Sequence, residues 1–403
     1  MKTLAIIAEY NPFHNGHKYH LDQSLQATDA DYAVTIMSGN FLQRGHAAIT
    51  DKYSRGKMCV LTGIDLALEL PFPYASGSAL DFSMGAISTL NKLNSIDYLC
   101  FGAETPDLSM FYKIVDVILE EPDKYKNSLK NYLSEGYSYP VARNNALNDY
   151  CNNTNITEFV STPNNILGIE YVSALKRTNS RIIPVPVQRV GAGYHDTTLY
   201  GNISSATAIR ESVQSRSSDV LETIKHDIPV STYDILSETH LVKWPIYTEF
   251  LTPFFQASLL SVKDYSHICD ISKSLSQKLS KLPININLSQ AVNMLKSKDL
   301  TSTRINRCII HLIMGYTETM RKDFIKNGYA FYGNILGLKK SSSNLLKCIN
   351  QNTEIPLINK KADFKAIGEK FQIDQVTARI IRNRDVVEEE DIRLFLEGGI
   401  ADL

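Results

Sequence analysis

Short apolar runs rich in β-branched residues alternate with longer amphipathic stretches over roughly the first 215 of the 403 residues. The apolar runs lie at 3–10, 31–39, 65–71, 97–104 and 181–190. Helical periodicity occupies residues 16–27, 51–62, 79–93, 107–119, 127–135, 163–177 and 205–215. Continuous apolar strands that alternate with helices are typical of a parallel sheet covered on both faces. We therefore predict an α/β, Rossmann-like fold with a doubly wound parallel sheet, which binds ligand at the carboxyl ends of its strands.

From about residue 225 onward, amphipathic periodicity replaces the strand-like runs, as in TRINRCIIHLIMGYTETM at 303–320. The charge balance changes as well. Residues 296–384 contain 17 Lys and Arg against 7 Asp and Glu, although the formal net charge of the whole chain is -1. A locally basic surface suits a polyanionic partner such as RNA. We predict a nucleotide-binding catalytic domain at 1–224 and a mostly helical, basic, RNA-binding domain at 225–403.

Two arginine pairs in the basic region each share a helical face, because residues three apart are neighbours on a helix. They are Arg304 with Arg307 and Arg379 with Arg382. We predict that these side chains contact RNA phosphates. The alternative is that they serve solvation or contact the acidic segment DVVEEED at 385–391, since surface charge runs usually do no more.

The spacing of the cysteines and the length of the apolar runs indicate the cellular compartment of the protein. The six cysteines are scattered with no C-x-x-C pair, and no apolar run of about 18 residues or signal-peptide pattern occurs. We expect a cytoplasmic protein with reduced thiols and no membrane contact.

The first apolar run ends abruptly in EYNPFHNGHKYHL at 9–21. Pro12 ends the strand, Gly16 permits close approach of the backbone to a ligand, and the next helix directs its free N–H groups toward an anion. His14 and His17 can then donate hydrogen bonds to phosphate oxygens and stabilise a charged transition state. The weaker alternatives are a zinc site, which steps of three residues on a helix disfavour, and surface histidines without a role.

A second candidate motif is ISSATAIRES at 203–212. Ser204 or Ser205 suits the N-cap of a helix, which leaves N–H groups and hydroxyls for phosphates, and Arg210 lies two turns into the helix. The alternative is an ordinary capped helix with a solvent-facing arginine. The segment at 37–57 adds further candidates for contacts with polyphosphate or RNA, namely Gln43, Arg44, Lys52, Arg55 and Lys57. For Lys52, Arg55 and Lys57 the alternative is a solvated helix face.

The two motifs resemble the signatures of the HIGH-type nucleotidyltransferase superfamily. The further segments MSGNFLQRG, ELPFPYASGSALDF, FGAE, PNNILGIEY and AGYHD resemble the bacterial tRNA(Met) cytidine acetate ligase family. The resemblance implies a two-step reaction. Acetate and ATP give acetyl-adenylate and pyrophosphate, and the acetyl group then passes to N4 of the wobble cytidine of elongator tRNA(Met). The resemblance implies that the RNA bound by the basic domain at 225–403 is this tRNA. We also expect Mg²⁺ with the ATP phosphates and predict no protein partner.

The resemblance also implies the site residues, with His14 and His17 as the catalytic groups at the phosphates. The ATP-binding loop would comprise Ile7, Ala8, Glu9, Tyr10, Asn11, Pro12, Phe13, His14, Asn15, Gly16, His17, Lys18, Tyr19 and His20. Further ATP contacts would be Gly102, Asn164 or Asn165, Arg189, Ser204, Ser205 and Arg210. Without the resemblance, a turn glycine, a helix cap and an exposed strand-end charge explain Gly102, the asparagines and Arg189.

Two other functions remain open on the sequence. One is a small-molecule adenylyltransferase or carboxylate-activating enzyme of the same superfamily, although a basic helical tail has no evident use for a free metabolite. The other is a non-catalytic RNA-binding scaffold, against which the intact motifs argue. We predict no protein-held metal site and no protein nucleophile, because an acyl-adenylate is already activated.

Overall fold

The computed structural model describes residues 1–137, 139–151, 155–190, 202–214, 220–240, 242–261, 264–297 and 300–358, together with residues 372 and 393. The chain divides into two compact units, Met1–Pro356 and Leu357–Leu403. The predicted tRNA contacts Arg379 and Arg382 lie outside the described residues.

Six strands of the first unit form one sheet. They are β1 (Thr3–Ala8), β2 (Tyr32–Ser38), β3 (Leu66–Leu70), β4 (Tyr98–Ala103), β5 (Ile183–Gln188) and β6 (Gly333–Leu338). Their order is β5-β4-β1-β2-β3-β6, and all neighbouring pairs are parallel except β3 with β6. The chain runs outward from β1 to β3 and then crosses back to β4 on the other side of β1. The predicted doubly wound sheet is confirmed, and its switch point lies between β1 and β4. The described part of the second unit contains strand β7 (Leu357–Ile358).

The central strands are buried on both faces, as their continuous apolar sequences predict. Leu4 and Ala5 of β1 and Val34 and Ile36 of β2 are fully buried. The sequence prediction missed β6, because GNILGL is short, contains two glycines and lies in a region of helical periodicity. Gly337 of β6 lets the strand pack closely against helix 52–62, since a Cβ there would lie 2.8 Å from the carbonyl oxygen of Gly56.

Eighteen α-helices lie within the described residues. They are α1 (Asn15–Thr28), α2 (Lys52–Thr62), α3 (Phe72–Ala75), α4 (Ala79–Leu93), α5 (Leu108–Glu120), α6 (Asp123–Ser134), α7 (Tyr139–Cys151), α8 (Asn155–Phe159), α9 (Pro163–Arg177), α10 (Ala206–Gln214), α11 (Val220–Ile224), α12 (Val230–Thr239), α13 (Thr252–Ser261), α14 (Lys273–Leu279), α15 (Leu288–Leu295), α16 (Ser302–Met314), α17 (Glu318–Lys326) and α18 (Ser343–Asn352). The seven helices predicted before residue 216 are confirmed, and α3, α7 and α8 were missed. None of the described helices is both long and apolar enough to span a bilayer.

Two separate hydrophobic cores lie among the described residues of the first unit. The core of the sheet includes Ile224, Ile235 and Trp244, so α11 and α12 pack onto the sheet rather than apart from it. A separate core joins α13 to α16 through side chains such as Phe255 and Ile305. The domain boundary expected between residues 224 and 225 stays a prediction.

Arg55 of α2 is fully buried although it carries a charge. Its Nη1 donates to the carbonyl oxygens of Glu9 at 2.8 Å and Ser38 at 3.0 Å, Nη2 donates to that of Gly39, and Nε donates to that of Thr50 at 3.2 Å. Burial lowers the pKa of Arg55 to about 10, so the guanidinium stays protonated at neutral pH. A solvated helix face is therefore wrong for Arg55, which instead ties together the segments that end β1 and β2.

We expect Arg55→Met to lower the free energy of unfolding by about 3 kcal/mol or more, because several buried carbonyl groups lose their donor at about 1–3 kcal/mol each. Urea denaturation measures the loss. Lys57→Met on the same helix is the matched control, since its side chain is 58% exposed and should change stability by about 0.5 kcal/mol or less. Equal losses in the two variants would contradict the role assigned to Arg55.

Candidate active site

A cavity of ≈ 240 Å³ lies at the switch point of the sheet. Its walls come from the segment after β1, the loop after β2, the ends of β4 and β5 and the start of α10. The predicted site residues that line it are Ala8, Glu9, Tyr10, Asn11, His14, Gly16, His17, Tyr19, His20, Gly102, Asn164, Arg189, Ser204, Ser205 and Arg210. The two motifs, about 190 residues apart in sequence, therefore meet at one place.

His14 and His17 form a capping box at the start of α1. His14 Nδ1 accepts a hydrogen bond from the Gly16 amide at 3.1 Å, and His17 Nδ1 accepts one from the His14 amide at 3.2 Å. The two rings stack with their centroids 3.7 Å apart. Because each Nδ1 accepts, a neutral ring must carry its proton on Nε2. His14 and His17 are therefore both hydrogen-bond donors through Nε2.

Gly16 is required by the first of these rings. A Cβ at position 16 would lie 2.9 Å from His14 Cε1 and 3.1 Å from His14 Nδ1, closer than van der Waals contact allows. The missing side chain thus makes room for the His14 ring to cap the helix. This reason differs from the close approach of a ligand that the sequence suggests, although Gly16 also lines the cavity.

The three histidines of the loop are held neutral. Burial, with Arg189 and Arg210 nearby, lowers the pKa of His14 to about 3. Burial lowers the pKa of His17 well below its usual range, and His14 adds to this effect. Burial lowers the pKa of His20 to about 4, with a further contribution from Arg189. The positive charge of the site therefore comes from arginines, and the imidazoles contribute uncharged donors.

The second motif contacts the first directly. Arg210 Nη1 donates to the carbonyl oxygen of Asn11 at 3.1 Å, and Ser205 Oγ accepts from the Ala208 amide at 3.0 Å at the start of α10. Ser204 Oγ donates to Asp227 Oδ1 at 2.5 Å. The serine turn is thus fixed by its own hydrogen bonds, and Arg210 reaches back to the loop after β1 rather than facing solvent alone.

The asparagines of α9 have different surroundings. Asn165 is fully buried. Its Oδ1 accepts a hydrogen bond from the backbone N–H of Glu104 at 3.1 Å, and its backbone N–H donates to Glu104 Oε2 at 3.1 Å. Asn164 Nδ2 donates to Glu104 Oε1 at 2.5 Å, and Asn164 lines the cavity. Asn165 therefore joins β4 to α9, and Asn164 is the one of the two placed to meet a ligand.

Several predicted residues do not line the cavity. They are Ile7, Pro12, Phe13, Asn15, Lys18 and Asn165. Asn15 Nδ2 donates to the carbonyl oxygens of Asn202 at 2.8 Å and His226 at 2.9 Å, so it links α1 to the segments around the second motif. Lys18 forms an ion pair with Asp22 one helical turn away. The ATP contacts assigned to these residues stay predictions.

The cavity is also lined by residues outside the predicted ATP contacts. Gln43 and Arg44 are candidates that the sequence named for polyphosphate or RNA, and the others are Phe82, Leu167, Tyr171, Gln188, Val190, Ile203, Ala206 and Thr207. Leu167 and Tyr171 follow Asn164 at the spacing of one face of α9. That spacing could have predicted from the sequence that Leu167 and Tyr171 lie beside Asn164 in the site. Phe82 gave none, because it belongs to α4, more than 60 residues after the first motif.

The arginine pair of α16 does not line the cavity. The Arg307 side chain is 13% exposed, with Nε 3.6 Å from an Asp270 carboxylate oxygen. Arg304 Nη2 donates to the Asp270 carbonyl oxygen at 3.5 Å. Both arginines therefore contact Asp270 and its backbone, a partner that the sequence alternatives did not name, whereas the acidic segment at 385–391 lies outside the described residues. Contact of the pair with RNA stays a prediction.

Cys269, Asp270 and His311 form the one group in the described part of the chain whose side chains suit a metal ion. None of the three lines the cavity. His311 Nδ1 lies 3.2 Å from the Cys269 carbonyl oxygen and Nε2 lies 3.0 Å from that of Ser76. Burial raises the pKa of the Cys269 thiol above its usual range. Both ring nitrogens of His311 therefore face backbone carbonyl oxygens, and the ring connects α16 with the segment after α3.

The neutral state of His14 has a consequence for stability. In the unfolded chain its ring gains a proton below about pH 6.5, whereas in the folded chain it stays neutral down to about pH 3. The unfolded state therefore binds more protons in this window, so stability falls as the pH falls. We expect wild-type stability to fall between pH 6 and pH 4 by about 1.4 kcal/mol per pH unit more than that of His14→Asn, which keeps a capping oxygen. Urea denaturation across pH measures the difference, and an equally large effect of His267→Asn, at an exposed position, would contradict it.

Comparison with known proteins agrees with this geometry. A family model described as HIGH Nucleotidyl Transferase matches residues 1–391. The tRNA(Met) cytidine acetate ligase of Caldanaerobacter subterraneus subsp. tengcongensis is 37% identical over 91% of this chain and 90% of its own. That of Halothermothrix orenii is 38% identical over 89% and 87%, and that of Clostridium novyi is 34% identical over 98% of both chains.

Two solved structures are similar over nearly the whole chain. Thermotoga maritima TmcAL without ligand matches with a TM-score of 0.84 and 27% identity, covering 98% of this chain and 92% of its own. The same protein bound with alpha-thio ATP matches with a TM-score of 0.82 and 26% identity, covering 98% and 93%. The chain therefore belongs to the tRNA(Met) cytidine acetate ligase family of HIGH nucleotidyltransferases.

Proposed function

We propose that this enzyme activates acetate with ATP and transfers the acetyl group to N4 of the wobble cytidine of elongator tRNA(Met) in the cytoplasm, giving N4-acetylcytidine. The observation that carries the proposal is the meeting of the two motifs in one cavity at the switch point of the sheet. Membership of the family, and a related structure bound with alpha-thio ATP, support ATP as the nucleotide. The relatives compared bear the name of a tRNA-modifying ligase, which favours tRNA over a small-molecule acceptor.

In the first step an acetate oxygen attacks the α-phosphorus of ATP, and the bond to the β-phosphate oxygen breaks to release pyrophosphate. The Nε2–H groups of His14 and His17 donate to phosphate oxygens as charge accumulates there. Arg210 and the amino end of α10 at Ser205 hold the pyrophosphate portion. These donors are positioned before substrate arrives, since the capping box and the Asn11 carbonyl already fix them.

Mg²⁺ would accompany the ATP phosphates. Glu9 is the one acidic residue among the described residues that line the cavity, so the protein offers a single carboxylate there. This donor set fits a cation that is coordinated mainly by phosphate oxygens and water. The chemistry that Mg²⁺ supplies is neutralisation of phosphate charge.

We expect His17→Ala to fold and to lower acetate-dependent pyrophosphate release by about 10² or more, because a preorganised donor to the transition state is lost. The assay contains ATP, Mg²⁺ and acetate without tRNA. His267→Ala is the matched control, at an exposed position outside the cavity. Near-normal pyrophosphate release by the His17 variant would remove His17 from the proposed mechanism.

The basic region of α16 provides a second test. We expect Arg304→Gln to weaken tRNA binding and to reduce the slope of log K against log salt by about 1, because one phosphate contact is lost. We expect Arg307→Gln, mostly buried beside Asp270, to change the slope less. Binding measured at several salt concentrations separates the two, and an unchanged slope in both variants would exclude α16 from the tRNA surface.

A further inference from the structure

The cavity has two sides, set by the strands next to β1. On the side of β4 and β5 lie Gly102, Asn164 and Arg189, where the proposed function places the nucleoside of ATP. On the side of β2 lie Glu9 and the loop containing Gln43 and Arg44. A Cβ at Gly102 would lie 3.9 Å from His20 Cδ2, so His20 also belongs to the side of β4. The side of β2 is therefore left for the tRNA cytidine that accepts the acetyl group.

The side of β2 is continuous with α16. Gly45, next to Arg44, has φ +73°, and a Cβ there would lie 2.3 Å from the Arg307 amide nitrogen. His46 Nε2 lies 3.4 Å from Asn306 Nδ2. The helix that carries the predicted tRNA contact Arg304 therefore touches the loop that forms this wall. An RNA bound along α16 approaches the cavity from the side of Glu9.

The polar side chains that line the cavity differ in whether they donate or accept hydrogen bonds. His14 and His17 use Nδ1 as acceptors of backbone amides, which leaves donors at Nε2. Arg189 and Arg210 are donors at every nitrogen. Glu9 Oε1 accepts from the Gln43 amide at 2.9 Å, and among the described residues its carboxylate has no ion-pair partner and Oε2 no hydrogen-bond donor. Glu9 is the one acidic residue among the described residues that line the cavity, so on the side of β2 its Oε2 is the carboxylate oxygen placed to accept a proton.

We propose that the Glu9 carboxylate binds the 4-amino group of the target cytosine and takes its proton during acetyl transfer, an inference that rests on the proposed function. The amine nitrogen attacks the carbonyl carbon of acetyl-adenylate, and the new C–N bond forms. The bond from that carbon to the phosphate oxygen breaks, and AMP leaves with the electron pair. The amine proton moves to Glu9 Oε2, which returns it to water after the product leaves.

The chemistry of cytosine makes such a group necessary. The lone pair of the exocyclic amine is delocalised into the ring, so the amine is a weak nucleophile until a proton is removed as the bond forms. A carboxylate is also the side chain that best accepts a hydrogen bond from cytosine N4. General base catalysis of this kind contributes about 10²–10⁴ in rate. One carboxylate thus both orients the amine and removes its proton.

The test separates the two steps in Glu9→Gln. The amide oxygen of glutamine still accepts from the Gln43 amide, so the loop and the melting temperature should be unchanged. Because Glu9 belongs to the predicted ATP-binding loop, pyrophosphate release with ATP, Mg²⁺ and acetate is measured as the reference, and we expect it to fall at least tenfold less than acetylation does. Single-turnover acetylation of elongator tRNA(Met) should fall by about 10² or more. Hydroxylamine, a strong nucleophile that needs no base, should still convert the adenylate to acetohydroxamate, with a loss no larger than that of pyrophosphate release.

Glu211→Gln is the matched control, because Glu211 is exposed on α10 and does not line the cavity. Wild-type acetylation by the Glu9 variant would overturn the inference. Equal losses of pyrophosphate release and acetylation would also overturn it, since Glu9 would then act on ATP, Mg²⁺ or folding. A failure of the proposed function itself looks different, because wild-type protein would then release no pyrophosphate in response to acetate.

Discussion

A buried guanidinium holds the two strand ends on which the cavity is built. Arg55 donates to carbonyl oxygens after β1 and β2, and no carboxylate neutralises it through a hydrogen bond or ion pair among the described residues. Burying a charge is costly unless its hydrogen bonds are satisfied. Carbonyl dipoles satisfy them without adding negative charge beside a site for a polyanion. The same contacts fix the backbone of Glu9, so the position of the proposed base depends on Arg55.

The imidazoles solve a related problem at the start of α1. A helix begins with free amides, which a serine or aspartate usually caps. Here His14 and His17 accept those amides through Nδ1 and keep Nε2–H for the cavity. Burial keeps both rings uncharged, so their donor state does not change near neutral pH. One pair of side chains therefore satisfies the helix and supplies the donors of the site.

The sequence predicts the sheet and the motifs well, because both depend on local pattern. Continuous apolar runs and alternating helices are sufficient for β1 to β5, whereas β6 packs closely against α2 at Gly337, a contact between segments distant in sequence. Three asparagines lower the helix propensity of α7, and the sequence analysis therefore did not predict this helix. The roles of Arg55, Gly16 and Asn165 depend on neighbours distant in sequence. No local pattern distinguishes a buried arginine from a solvated one or a structural asparagine from a ligand.

Gly45 joins the helical core to the chemistry. Its backbone has a positive φ and lies so close to Arg307 and Asn306 that any side chain would collide with α16. The loop on which it lies carries the Gln43 amide that holds Glu9 Oε1. A series of contacts therefore connects α16 with Glu9. The helix packs against Gly45, and the loop that contains Gly45 and Gln43 holds the Glu9 carboxylate. Because packed groups keep their spacing, an RNA that binds along α16 meets a carboxylate whose distance from that helix is already set.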